Sequence, residues 1–149
     1  MDTRRIVDIL NDLLAMETGS CVARVREAGH YVSWQAAGKM GALREMIEED
    51  SAHQRWLVDE MQRLAGSPRP RTLGIQTAGS HYLDAEYLIP TIIDEERRLV
   101  AAYRRAQSMV PSDATTTLRM LAGILARHEA HTNRLAETDS PKPGAAPQA

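Results

Sequence analysis

The chain has no phenylalanine and a single cysteine, and aromatic residues make up 4% of its 149 positions. One thiol, Cys21, cannot build a disulfide framework, a zinc ribbon or a rubredoxin-type module, each of which needs several. Apolar runs are short, and none approaches the ~20 residues of a membrane span. The opening segment MDTRRIVDIL turns amphipathic at once and lacks the unbroken apolar region of a signal peptide. Neither sign of charge is in excess: Lys+Arg is 18, Asp+Glu is 20, the formal net charge is -2, and the signs are interspersed. That excludes an electrostatic platform for nucleic acid or a membrane surface. Alternating and β-branched runs are also scarce. Ala, Leu, Arg, Glu and Met dominate instead, as in long helices. The expectation is a soluble, cytoplasmic, all-α protein.

The most informative stretch is Leu43 to Leu64, LREMIEEDSAHQRWLVDEMQRL. At helical spacing its apolar stripe is Leu43, Met46, Asp50, His53, Leu57, Met61 and Leu64. Asp50 and His53 are three apart and lie side by side on the face that should be buried. A carboxylate and an imidazole in a core are costly unless another polar group or a metal partners them.

The other segments repeat the anomaly. A first helix is expected from residue 3 to about 28, with Ile6, Leu10, Leu13, Glu17, Cys21 (or Ser20), Arg24 and Ala28 in phase and Gly29 as its stop. The second should begin within 34–41 and run to about 65, where Gly66, Pro68 and Pro70 end it. Residues 66 to about 83 have no helical period and carry Gly and Pro, which makes a long connection for a compact helical domain. Parallel second and third helices would account for it. A helix of about 25 residues is nearly ~40 Å long, and some ~15 extended residues would span that length.

The third helix holds Leu88, Ile92, Glu96, Leu99, Tyr103 and Ala106 in phase, with Glu95 the alternative should the phase differ by one. Pro90 either opens this helix or bends its first turns. After Pro111, with Ser112 or Asp113 as N-cap, the fourth helix runs to about 136. Its stripe is Leu118, Leu121, Leu125, His128, His131 and Leu135. A bundle over residues 1–137 is thus followed by a disordered Pro/Ala-rich tail, 138–149.

Each of the four helices carries ligand-type residues near the middle of its inner face. The run Asn11-Asp12-Leu13-Leu14-Ala15-Met16-Glu17 resembles the start of bacterioferritin-type chains. The order and spacing of the other polar positions resemble the ferritin-like superfamily, which includes the rubrerythrins. That resemblance covers about residues 3 to 136. It implies an antiparallel four-helix bundle with a long crossover between helices two and three. It also implies a di-iron site fed by one Glu from each of helices one and three and a Glu-x-x-His from each of helices two and four. Carried over, Glu17 and Glu96 take the single-Glu roles. Asp50-Ser51-Ala52-His53 takes the second-helix motif with Asp for Glu, and His128-Glu129-Ala130-His131 takes the fourth with His for Glu. The implied metal ligands are Glu17, Asp50, His53, Glu96, His128 and His131.

The departures have physical consequences. A neutral imidazole has one lone pair and cannot bridge two ions, so Asp50 is left as the candidate bridge. Two divalent ions facing three carboxylates leave a net positive charge, which Glu49 or a hydroxide could offset. Three imidazoles favour iron, zinc or copper over magnesium or calcium; manganese is a further candidate. The resemblance implies one or two iron ions and oxygen- or peroxide-dependent oxidation at the metal, with an electron donor that nothing identifies. A homodimer, or larger homo-oligomer, burying an outer face of the first two helices is expected. Ser51 follows Asp50 where bacterioferritins carry the haem-binding Met, so haem is not expected. A hemerythrin-like carrier fits the helix spacings less well, because His53 is followed four residues on by Leu57. The alternative is a non-catalytic bundle with a structural polar core or a mononuclear metal site. Cys21 is expected to be a small core residue, and Trp34, Trp56, Tyr82 and Tyr103 to pack, with Tyr103 bordering the site.

Overall fold

The computed structural model describes residues 2–23, 37–70 and 85–139. The expectations for Arg24, Ala28, Gly29, Trp34, Tyr82, the middle of the long connection and the tail beyond 139 lie outside them. Four helices carry the fold: α1 Thr3–Thr18, α2 Ala37–Arg63, α3 Ala85–Met109 and α4 Thr115–Asp139. There is no strand among the described residues.

Contacts along the helices fix their directions. Near one end, Asn11 of α1 donates from Nδ2 to the Ser67 carbonyl and accepts from the Arg69 N–H, just past the end of α2. Near the middle, Glu17 of α1 lies beside Asp50 and His53 of α2. α1 and α2 are therefore antiparallel. α4 runs antiparallel to α2 as well, since Arg127 meets Glu49, Arg134 meets Glu45, and Thr117 meets Glu60. α3 is antiparallel to α1, through Tyr103 on Glu17 and Glu95 on Cys21, and to α4, which follows it after a short turn. α2 and α3, across the diagonal, thus run parallel, and the chain between them must return the length of the bundle.

Helix ends follow local chemistry. Asp2 caps α1 by accepting the Arg5 N–H. α1 stops at Thr18, about ten residues short of the sequence expectation, and residues 21–23 are helical again. The interruption falls where Thr18, Gly19 and Ser20, all weak helix formers, occur in a row. Ser20 Oγ donates to the Glu17 carbonyl and accepts from the Ala23 N–H, so it caps the new turn.

α2 ends in a Schellman arrangement, with Ala65 N–H on the Gln62 carbonyl and Gly66 N–H on the Met61 carbonyl. The left-handed position is Ala65 at φ 58, not the neighbouring glycine. Gly66 is needed for a different reason: a Cβ there would lie 2.4 Å from a Val7 methyl. α3 begins before Pro90, which lies inside the helix, so the reading in which Pro90 opens it is corrected. α4 begins at Thr115, later than a cap at Ser112 or Asp113 would place it, because Ala114 N–H closes a turn onto the Pro111 carbonyl.

The apolar core has two parts. One joins Ile6, Leu10, Leu13 and Leu14 of α1 to Leu57, Met61, Leu99, Leu121 and Ile124. The other, at the opposite end, joins Cys21, Leu43, Met46, Ile89, Ile92 and Leu135. Between them the four stripes place their polar residues in one layer.

Candidate metal centre

Glu17, Asp50, His53, Glu96, His128 and His131 are all buried. Ligand atoms of Glu17, Asp50, His53 and His128 lie within 4.8 Å of one another, as do those of Glu96, His128 and His131. The two groups share His128. Each residue comes from the stripe of its own helix, so the helical period that buries the leucines also delivers these side chains to the interior. The structure brings all six sequence-derived candidates together.

Within the layer, His128 is held from both sides. Its Nε2 is 2.6 Å from Glu17 Oε1 and its Nδ1 is 2.7 Å from Glu96 Oε2. Burial opposes the imidazolium, but the two carboxylates outweigh it and hold His128 up at about 11. Tyr103, fully buried, donates from its hydroxyl to the same Glu17 oxygen at 2.8 Å. Burial first, and the Glu17 charge second, keep that phenol protonated far above its ordinary value.

The remaining members have almost nothing to bond. Both oxygens of Asp50, Nδ1 of His53, both ring nitrogens of His131 and Oε2 of Glu17 are buried without a hydrogen-bond partner. Asp50 Oδ1 and His53 Nδ1 are 3.6 Å apart, too far for a hydrogen bond. His131 Nε2 lies 2.9 Å from Glu49 Oε2 but outside hydrogen-bonding alignment. Burial raises the Asp50 carboxyl to about 7, with the Glu17 and Glu96 charges adding to the rise and His53 opposing it. Burial also lowers His131, against the pull of Glu49.

Orphaned buried acceptors cost roughly 1–3 kcal/mol each. A cation removes that penalty, because it supplies the charge that carboxylate oxygens and imidazole lone pairs require. The residues present therefore fit a transition-metal ion. One further orphan does not contribute: the Gln54 amide nitrogen is a donor and cannot ligate.

The two reserve carboxylates are otherwise engaged. Glu95 accepts the Cys21 N–H at 2.5 Å, which places an anion on the first turn after the α1 interruption. Glu49 accepts Arg127 Nε and Nη2 at 2.8 and 2.5 Å, and that guanidinium holds its carboxyl below the usual range. Trp56, expected to pack, is instead exposed; the signal available was its place outside the α2 stripe, one position before Leu57.

No protein-family model and no curated protein matches the chain by sequence. Solved structures do match by fold. A ferritin-like, diiron-carboxylate protein from Bacillus anthracis str. Ames is 16% identical, with 94% of this chain and 99% of that one covered at a TM-score of 0.76. A dodecameric thioferritin, the bacterioferritin-related protein from Bacteroides fragilis, is 20% identical, with 92% and 85% covered at a TM-score of 0.72. The chain has the ferritin-like fold.

Proposed function

We propose that this ferritin-like protein binds one or two iron ions in the polar layer of its bundle and supports oxygen- or peroxide-dependent oxidation there. The observation that carries the reading is the set of buried, unpartnered lone pairs on Asp50, His53, His131 and Glu17. Glu17, Asp50, His53 and His128 would hold one ion, and Glu96 and His131, whose group shares His128 with the first, would hold the other. Iron in such a shell supplies Lewis acidity and one-electron redox chemistry.

The chain's own contribution is positioning and exclusion of water. Tyr103 fixes the rotamer of Glu17, and Glu17 and Glu96 fix the ring plane of His128. To ligate, His128 must release one of its two carboxylates along with a proton. The apolar clusters above and below keep the layer dry. No helix among the described residues is long and apolar enough to cross a membrane. A cytoplasmic homo-oligomer, a dimer or larger, completes the proposal, and the dodecameric neighbour supports assembly.

A second reading, a mononuclear site, has its own support. His128 spends both ring nitrogens on Glu17 and Glu96, and of the unpartnered atoms on Glu17, Asp50, His53 and His131 those of the first three belong to one group.

Elemental analysis after anaerobic Fe(II) addition, on the wild type and on His128→Ala and Asp50→Asn, tests both readings. Two ions per chain falling in both variants is the expected result for a di-iron centre. One ion per chain that survives His128→Ala but not Asp50→Asn identifies the mononuclear site. No bound metal in the wild type removes the proposal and leaves a structural polar core.

A further inference from the structure

Trp56 is 46% exposed, whereas Tyr103 is fully buried. Its ring centroid lies 5.5 Å from that of His53, which is itself buried. From there the packing of rings continues inward. His53 and His128 have centroids 4.9 Å apart, and His128 and Tyr103 5.4 Å apart. Four rings in contact therefore run from solvent into the polar layer, and two of them belong to the candidate ligand set.

Packing within the chain does not account for the outer ring. An indole left nearly half in water gives up much of the burial that makes tryptophan useful in a core. At the two flanking helical positions, Arg55 is exposed and Leu57 is fully buried, so the stripe of α2 has already closed inward. The layer's other outlet, the half-exposed Glu49, is latched by Arg127 and carries no π-system.

We propose that Trp56 is the electron port of the buried centre, through which one-electron carriers in solution exchange electrons by way of the His53 imidazole. The inference rests on the metal-binding reading above and specifies where that centre meets its redox partners. A low-potential one-electron reductant of the reduced-viologen class would give up one electron, and a ferric ion held in this layer would take it up to become ferrous. No bond in the protein is made or broken, and no proton has to follow the electron along the rings. Trp56 acts through His53 as a relay.

Two measurements test this, both beside elemental analysis of each variant. In a Trp34→Phe background Trp56 is the single tryptophan, since the chain has two. Anaerobic Co(II), an open-shell ion, is expected to quench more than half of its emission and to saturate at the analysed stoichiometry, while Zn(II) quenches little. Emission unchanged by bound Co(II) overturns the proposal.

In stopped flow, ferric-loaded Trp56→Leu is expected to be reduced by reduced methyl viologen about ten-fold more slowly than wild type at equal metal content. Trp56→Tyr is expected to recover part of the rate. A merely structural Trp56 would shift thermal stability and leave the reduction rate unchanged; an equal rate in Trp56→Leu with metal bound overturns the port and leaves the metal centre standing. No metal in the wild type overturns both.

Discussion

Glu17, Glu96 and His128 are as deeply buried as Asp50, His53 and His131, yet the two halves of the layer are in opposite states. In the first, imidazole and carboxylates pair with each other and Tyr103 adds a donor. In the second, the same kinds of atoms stand a few ångströms apart without partners. Burial alone is therefore no guide to whether a polar residue supports the fold. A saturated group contributes specificity and is costly to remove, whereas an orphaned group is a liability the fold tolerates.

The sharpest way to break the comparison is His128→Leu. Removing the shared partner leaves Glu17 and Glu96 facing each other in the core, and the metal-free variant is expected to lose about 3–5 kcal/mol in urea unfolding. An unchanged midpoint would mean that the two contacts do not stabilise the protein.

Asp50→Leu is expected to act with the opposite sign. It deletes two orphaned oxygens, so the metal-free protein should gain roughly 1–3 kcal/mol, while iron affinity falls by at least the ~10–100-fold seen for lesser changes around metal ligands. Calorimetric melting and metal titration read the two effects separately. If Asp50→Leu destabilises the metal-free protein, the orphaned half is satisfied in solution and the contrast fails.

A smaller effect sharpens the saturated half. Tyr103→Phe removes one hydroxyl from Glu17 and is expected to cost about 1 kcal/mol, read as a shift in urea midpoint. That cost should differ in a His128→Leu background by a measurable coupling energy in a double-mutant cycle, because the three residues form one network.

The mildest test lies outside the layer. Glu60 is buried between Arg63, at 2.9 and 2.6 Å, and the Thr117 hydroxyl, at 2.6 Å. Arg63 holds its carboxyl below the ordinary 4.5, so the folded state favours the ionised form more than the unfolded chain does. The resulting stability is complete above about 4.5 and is lost as pH falls through the folded value. Glu60→Gln should accordingly destabilise at pH 7 and converge on wild type under acid. A pH-independent difference would show that the Arg63 pair contributes nothing electrostatic.

Much of the fold was legible because burial and helix period are the same signal read twice. The stripe positions Leu43, Met46, Asp50, His53, Leu57 and Met61 were readable as one face, and all are buried on α2. The phase put Glu96 first and left Glu95 as the alternative; in the structure Glu96 turns to His128 and Glu95 to the Cys21 backbone. The early end of α1 was not legible as such, since Gly19 and Ser20 occur inside many continuous helices. Here Ser20 and Glu95 together satisfy the freed N–H groups of the next turn.

By itself the sequence determined that four amphipathic helices would form and that ligand-type residues would be carried to their inner faces, because periodicity is a local property of the chain. Only the tertiary structure decided how those residues divide. His128 lies between Glu17 and Glu96 while Asp50 has no hydrogen-bond partner, since hydrogen-bond satisfaction depends on angles and distances between helices that no single segment encodes. The same holds for Trp56. Its place in the sequence makes it a neighbour of His53, but only the packing of the other three helices leaves that ring at the surface.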